Sequence, residues 1–94
     1  MKIVSWNVNG LAACKRKGFL RVLARSCADI FCCQEIKSRC PLSTPGYLQF
    51  WNPASRPGYS GTLTLARKAP IYVRYGMGVG RFDEEGRLIL LEYE

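Results

Sequence analysis

The 94-residue chain breaks into short apolar runs separated by Gly- and Pro-marked turns, and the spacing inside each run predicts its element. Lys2 to Val8 carries Ile3, Val4, Trp6 and Val8 and ends at Asn9-Gly10, which predicts a strand closed by a turn. From Gly18 to Cys27, Phe19, Leu20, Leu23 and Cys27 recur at helical spacing, with Arg21 and Arg25 on another face. This predicts a short amphipathic helix. Asp29 to Glu35 is an apolar run ending in polar residues, the pattern of a buried strand that delivers side chains to a sheet edge. Strand, helix and strand in this order form a βαβ unit with near-parallel strands.

After Lys37 the texture changes. Pro41, Pro45, Pro53 and Pro57 mark loops around a short aromatic strand, Tyr47 to Trp51. Thr62-Leu63-Thr64-Leu65 alternates and predicts a half-exposed strand, and Ile71 to Tyr75 predicts another. Gly76-Met77-Gly78-Val79-Gly80 lacks the Gly-x-Gly-x-x-Gly spacing of a nucleotide loop and reads as a flexible connection. Asp83 to Gly86 predicts a turn, and the mostly apolar Arg87 to Tyr93 predicts a last strand buried on both faces. The order points to an α/β chain building one mixed sheet. One helix covers only part of one face of such a sheet, so an incomplete domain is expected, at a length below the usual 100–150 or so residues.

Composition narrows the chemistry. The longest aliphatic run is Leu88 to Leu91, far short of the roughly 20 residues of a membrane span, and no secretory leader pattern opens the chain. A non-membrane, cytoplasmic protein is expected. Thirteen basic and two acidic side chains fall in residues 1–82, one basic and five acidic in residues 83–94. That excess of cations suits a polyanionic partner, and equally a soluble basic protein without one. The five cysteines, Cys14, Cys27, Cys32, Cys33 and Cys40, lack paired zinc-site spacing and are expected to be reduced thiols, with Cys32 and Cys33 as small core residues. With no histidine, the chain holds no imidazole base, no Ser-His or Cys-His pair and no His-ligated metal.

Strand ends of a βαβ unit lie on one side of the sheet, so Asn7 and Glu35 are expected at one rim. A carboxylate beside a carboxamide, without thiol or imidazole, is an oxygen site suited to Mg²⁺ or Mn²⁺. The same two residues also read as a turn Asn and a solvated Glu, and the pattern alone leaves both open.

Lys2 to Leu11, Gln34-Glu35-Ile36-Lys37, Gly58-Tyr59-Ser60-Gly61-Thr62 and Phe82 to Ile89 together resemble the exonuclease III/apurinic-apyrimidinic endonuclease family, within the endonuclease/exonuclease/phosphatase superfamily. The resemblance is ordered and spans nearly the whole chain. It implies that residues 1–94 are the N-terminal, truncated part of a two-sheet α/β sandwich, a βαβ unit followed by mostly antiparallel strands. It implies Mg²⁺-dependent (or Mn²⁺-dependent) cleavage of phosphodiesters in double-stranded DNA at abasic sites or 3′ ends, by a monomer when full length. Glu35 would be the principal metal ligand, with Asn7 beside it holding phosphate or metal-bound water. Asn9, Lys17, Gly58 and Tyr59 would contact DNA. Lys15 and Arg16 are further candidates for backbone contact, and Glu92 is a second acidic candidate. Ala12 departs from the Arg common in the family's first loop. Family members are more than twice this length, and their other catalytic groups, a late Asp-His pair among them, lie outside the matched stretch. The 94 residues alone are therefore expected to be inert or nearly so. The competing reading is a non-catalytic basic module that binds nucleic acid or a partner protein.

Overall fold

The computed structural model describes all of residues 1–94. Strand β1 (Ile3–Asn7) is followed by helices α1 (Leu11–Arg16) and α2 (Phe19–Ser26), then by strand β2 (Ile30–Gln34), which lies parallel to β1. The register pairs Ile3 with Ile30 and Asn7 with Gln34. At its start it is locked by Lys2, whose backbone N–H donates to the Asp29 carboxylate (2.6 Å) while its carbonyl accepts from Asp29 (2.8 Å). Strands β3 (Leu48–Asn52) and β4 (Thr62–Ala66) add antiparallel partners in the order β1-β2-β4-β3. Strand β5 (Tyr72–Tyr75), the one-turn helix α3 (Gly80–Asp83) and strand β6 (Ile89–Glu92) complete the chain.

One face of the four-stranded sheet carries Val4, Trp6, Phe31, Cys33, Leu63 and Leu65 under the two helices. Phe19 and Phe31 are fully buried, and Trp6, Phe19 and Phe31 form a ring cluster with centroids 5.8–6.4 Å apart. Such pairs add about 0.5–1.5 kcal/mol each beyond area burial. The amphipathic helix falls where its spacing predicts it. Helix α1 is not foreseen, because it has no side-chain N-cap and starts from Gly10.

The single mixed sheet expected from the order of elements is instead two, as the family resemblance implies. Both edges of β4 are occupied, by β2 and β3, so the next strand has no place beside it. Strand β5 pairs with β6 alone, and β6 lies over the second face of the large sheet against β4. Two hydrogen bonds fix it there, from Asn52 Nδ2 to the Leu88 carbonyl (2.9 Å) and from Thr62 Oγ1 to the Gly86 carbonyl (2.9 Å). This cover explains a second difference: β4, expected half-exposed from its Thr-Leu alternation, is buried on both faces from Leu63 to Ala66. Conversely β6, expected buried on both faces, packs on one and leaves Leu90 exposed. The β1–β2 half of the second face is open, with Ile3 and Ser5 exposed.

The segment from Gly76 to Gly80, expected to be a flexible loop, is tied down. The amides of Met77 and Gly78 both donate to the Asp83 carboxylate at 2.9 Å. No helix is long and apolar enough to cross a membrane.

All five cysteines are free. Burial pushes the Cys33 thiol up to about 12, and raises Cys14 and Cys32 as well, while Cys27 is exposed. Cys33 sits in the core as expected, whereas Cys32 is only half-buried on the open face. Iodoacetamide at pH 8, followed by peptide mass mapping, is therefore expected to label Cys27 first and Cys33 only after denaturation. Gly86 has φ +60°, and a Cβ there would strike the Asn52 carbonyl and come within 3.0 Å of the Ala54 nitrogen, whereas Gly46 (φ +84°) faces open space. Both Ala substitutions carry the left-handed backbone strain of roughly 1–2 kcal/mol. Gly86→Ala is expected to lose at least about 1 kcal/mol more than Gly46→Ala in urea unfolding, because only it must displace backbone.

Candidate active site

Strands β1 and β2 end together, and the chain leaving each is fastened to the other. The Val8 amide donates to the Gln34 carbonyl (3.0 Å), Gly10 to Glu35 (2.7 Å) and Leu11 to Ile36 (2.9 Å). On its other side the β2 exit bonds the loop before β4. Ile36 donates to Gly61 (3.2 Å), Lys37 donates to Ser60 (2.8 Å), and Gly58 donates back to Lys37 (2.8 Å). Glu35 and Lys37 adopt left-handed backbone conformations, φ +51° and +70°, on either side of fully buried Ile36. Such conformations are uncommon for residues with side chains and persist where surrounding structure over-determines them. Here the buried Ile36 and six backbone bonds do so. The result is a Glu35 carboxylate presented to solvent from a fixed backbone.

Asn7 meets it there. Its amide Nδ2 donates to Glu35 Oε2, and its Oδ1 accepts from the Asn9 backbone N–H at 3.0 Å. Each end of the carboxamide thus has its matching partner, which fixes its orientation. Asn7 orients the carboxylate, and Glu35 Oε1 is left for another ligand. The donors at the rim are oxygens, with no thiol or imidazole among the lining residues, so the set fits a hard cation that takes one carboxylate and keeps several waters. No group of three or more His, Cys, Asp or Glu comes together as a preformed metal cage.

Glu35 is shared by two shallow cavities of about 210 and 220 Å³. Gly58 and Tyr59 face it across the first, beside Lys37 and Ser60. The Tyr59 hydroxyl donates to Glu85 Oε2 (3.0 Å), and the Arg56 guanidinium lies 5.9 Å from its ring centroid. Asn9 and Lys17 lie together in a neighbouring groove of about 310 Å³ beside Trp6 and Ala13. Lys15 and Arg16 lie elsewhere, over Cys40 and Pro41, and Lys15 Nζ donates to the Pro41 carbonyl at 2.7 Å. The basic run therefore divides between two surfaces. Glu92 is not brought to this rim. It pairs with Tyr72 at the far end of β6, next to Tyr93, whose hydroxyl donates to the Lys68 carbonyl (2.8 Å).

The sequence reading misses Glu85 and Arg87 as site residues. Glu85 Oε1 accepts from Arg87 Nε at 2.7 Å, and this bond, with that of Tyr59, holds the Glu85 carboxyl below the usual carboxylate range. The available signal was that both fall within Phe82 to Ile89, one of the four stretches that carry the family resemblance, and that Arg87 is the sole cation in residues 83–94.

No family model matches the chain. Individual relatives do. An exodeoxyribonuclease of Bacillus subtilis (strain 168) is 47% identical over 98 aligned positions, covering all of this chain and 39% of the relative. A DNA-(apurinic or apyrimidinic site) endonuclease of Dictyostelium discoideum is 35% identical over 99, covering all of this chain and 27% of the relative. The crystal structure of the Xenopus laevis APE2 catalytic domain superposes with a TM-score of 0.81 and 30% identity, covering 97% of this chain and 38% of that one. The chain thus spans about two fifths or less of the proteins it matches. Alike in sequence over its whole length and in fold, the chain matches one part of the proteins of the exonuclease III/apurinic-apyrimidinic endonuclease family.

Proposed function

We propose that these residues supply the metal-binding, phosphate-facing part of a Mg²⁺-dependent (or Mn²⁺-dependent) DNA repair nuclease, acting on double-stranded DNA at abasic sites or 3′ ends. One observation carries the reading. Two parallel strands end at one rim, and there the Asn7 amide orients the Glu35 carboxylate opposite the Gly58–Ser60 segment. The relatives' names, an exodeoxyribonuclease and an abasic-site endonuclease, support the substrate class.

In this reading Glu35 holds the cation and Asn7 fixes the direction of its carboxylate. A bound divalent cation neutralises charge on phosphate oxygens and lowers the pKa of a bound water. Lys37 brings a further positive charge to the same cavity. Gly58 and Tyr59 form the wall along which a DNA backbone runs, and the groove of Asn9 and Lys17 extends that contact beyond the metal. Because Tyr59 donates its proton to Glu85, its contribution is the ring and its backbone rather than a free hydroxyl. The excess of cations over residues 1–82 favours approach of a polyanion.

Hydrolysis by in-line attack also needs an oriented water and a stabilised leaving oxygen. One carboxylate and one amide do not supply these. The 94 residues by themselves are expected to give no Mg²⁺-dependent incision of an abasic duplex above background in a gel assay. Incision that disappears in Glu35→Gln would show the chain to be self-sufficient.

The metal site is testable without activity. Glu35→Gln is expected to weaken Mg²⁺ binding in calorimetry by more than about tenfold, and Asn7→Ala by roughly tenfold through loss of carboxylate orientation. Both residues are exposed, so the melting temperature is expected to stay nearly constant. Unchanged Mg²⁺ affinity in Glu35→Gln would remove the site.

A further inference from the structure

At the end of the sheet opposite the Asn7–Glu35 rim, where β1 and β2 begin and β4 ends, lies a separate cavity of about 330 Å³. Asp29, Arg67 and Lys68 give it a polar side, and Met1, Ile30 and Tyr93 an apolar one. We propose that this cavity is a mononucleotide site, in which Arg67 and Lys68 take the phosphate of a nucleoside monophosphate. Asp29 Oδ1 accepts from a sugar hydroxyl or a base amine, and the apolar side carries the base. The site stands apart from the nuclease reading, since it uses none of the rim residues.

Arg67 carries the argument. Its backbone N–H donates to the Asp29 carbonyl (3.0 Å), its Nε donates to the Ala28 carbonyl (2.9 Å), and its guanidinium lies 5.1 Å from the Tyr47 ring centroid. Tyr47 is held in turn, its hydroxyl donating to the same Ala28 carbonyl at 2.6 Å. No carboxylate closes on the fork of the two Nη groups, because the one ion pair of the chain is Arg87–Glu85. An arginine fixed by a carbonyl and a ring, its charge unopposed, has already lost the side-chain freedom that anion binding costs. Lys68 adds a second cation beside it, and its carbonyl accepts from the Tyr93 hydroxyl (2.8 Å), which sets that ring in the cavity wall.

Two adjacent cations suit a phosphate monoester, which carries about −1.5 to −2 charges at pH 7. The carboxylate decides which monoester. The Lys2 N–H first, and then the cations around it, Arg67 and Lys68 among them, hold the Asp29 carboxyl below its usual range. One of its oxygens accepts from Lys2 at 2.6 Å, which leaves Oδ1 for a ligand's donor. That charge repels a bare phosphate, whereas a nucleotide brings hydroxyls and an amine to it. The volume lies near the lower end of the roughly 300–1,000 Å³ of ligand pockets, the size of one nucleotide and not of a strand.

The test is a titration of the ¹⁵N-labelled 94-residue chain with deoxyadenosine monophosphate, in EDTA at pH 7, followed by amide shifts. Shifts are expected at residues 29, 30, 67, 68 and 93, and not at 35–37 or 58–61. Inorganic phosphate is expected to bind at least about fivefold more weakly than the nucleotide, and deoxyadenosine to give no saturable shift. Arg67→Ala is expected to weaken nucleotide binding about tenfold, and Lys68→Ala about threefold. Arg81→Ala removes an equal charge from α3, where that guanidinium lies over Phe82, and is expected to change affinity less than twofold. Should Arg67→Ala fail to fold, Lys68→Ala decides. Shifts centred on the rim, phosphate binding as tightly as the nucleotide, or Lys68→Ala behaving like Arg81→Ala would overturn the proposal. Failure of the nuclease reading looks different, since Glu35→Gln then leaves Mg²⁺ binding intact whatever the nucleotide does.

Discussion

The structure turns on one buried side chain. Ile36 fills the core between two residues held in left-handed conformations, and the backbone around it bonds the first loop on one side and the Gly58–Gly61 loop on the other. Without that plug, the β2 exit would have no reason to stay in a conformation that residues with side chains avoid. With it, three stretches remote in sequence become one rigid rim. Gly61 shows how tight the arrangement is, since a Cβ there would lie 3.0 Å from Ile36 Cγ1. The carboxylate of Glu35 points outward because its neighbour points inward.

Around that rim the charges are arranged in opposition. A chain with few acids among its first 82 residues sends its acidic turn back to the cleft, where Glu85 gathers Tyr59 and Arg87. The carboxylate of Glu35 is bonded by an amide and not by a cation, so it keeps one oxygen for a ligand. The carboxylate of Glu85 has a hydrogen bond on each oxygen and serves as a fixture. The two acids thus have different duties, set by what donates to them.

Much of this was legible in the sequence. Alternation and helical spacing locate β1, α2 and β2, and the rule that parallel strands end on one side brings Asn7 to Glu35. What escaped was tertiary. Helix α1 has no side-chain cap, and its first turn is set by Gly10 and Leu11 bonding the β2 exit. The split into two sheets follows from β4 having both edges taken, which the order of strands along the chain does not reveal. The Thr-Leu alternation of β4 suggested one wet face because local pattern cannot see β6 crossing above it. Glu85 and Arg87 were hidden for the same reason, since their partner Tyr59 lies 26 residues before Glu85. Lys15 shows the converse, a basic residue two positions from Lys17 that turns away to Pro41.

The far wall of the cleft is set by an atom that is not there. At Gly86 the backbone of the acidic turn rests directly on Asn52 and Pro53, closer than any side chain would permit. Glu85 and Arg87, on either side of that contact, can be no farther from Glu35 than a bare α-carbon leaves them. The width of the cleft is therefore gauged by main chain against main chain, a spacing that cannot drift with the choice of rotamers. A single added methyl would open it like a shim driven under a jaw.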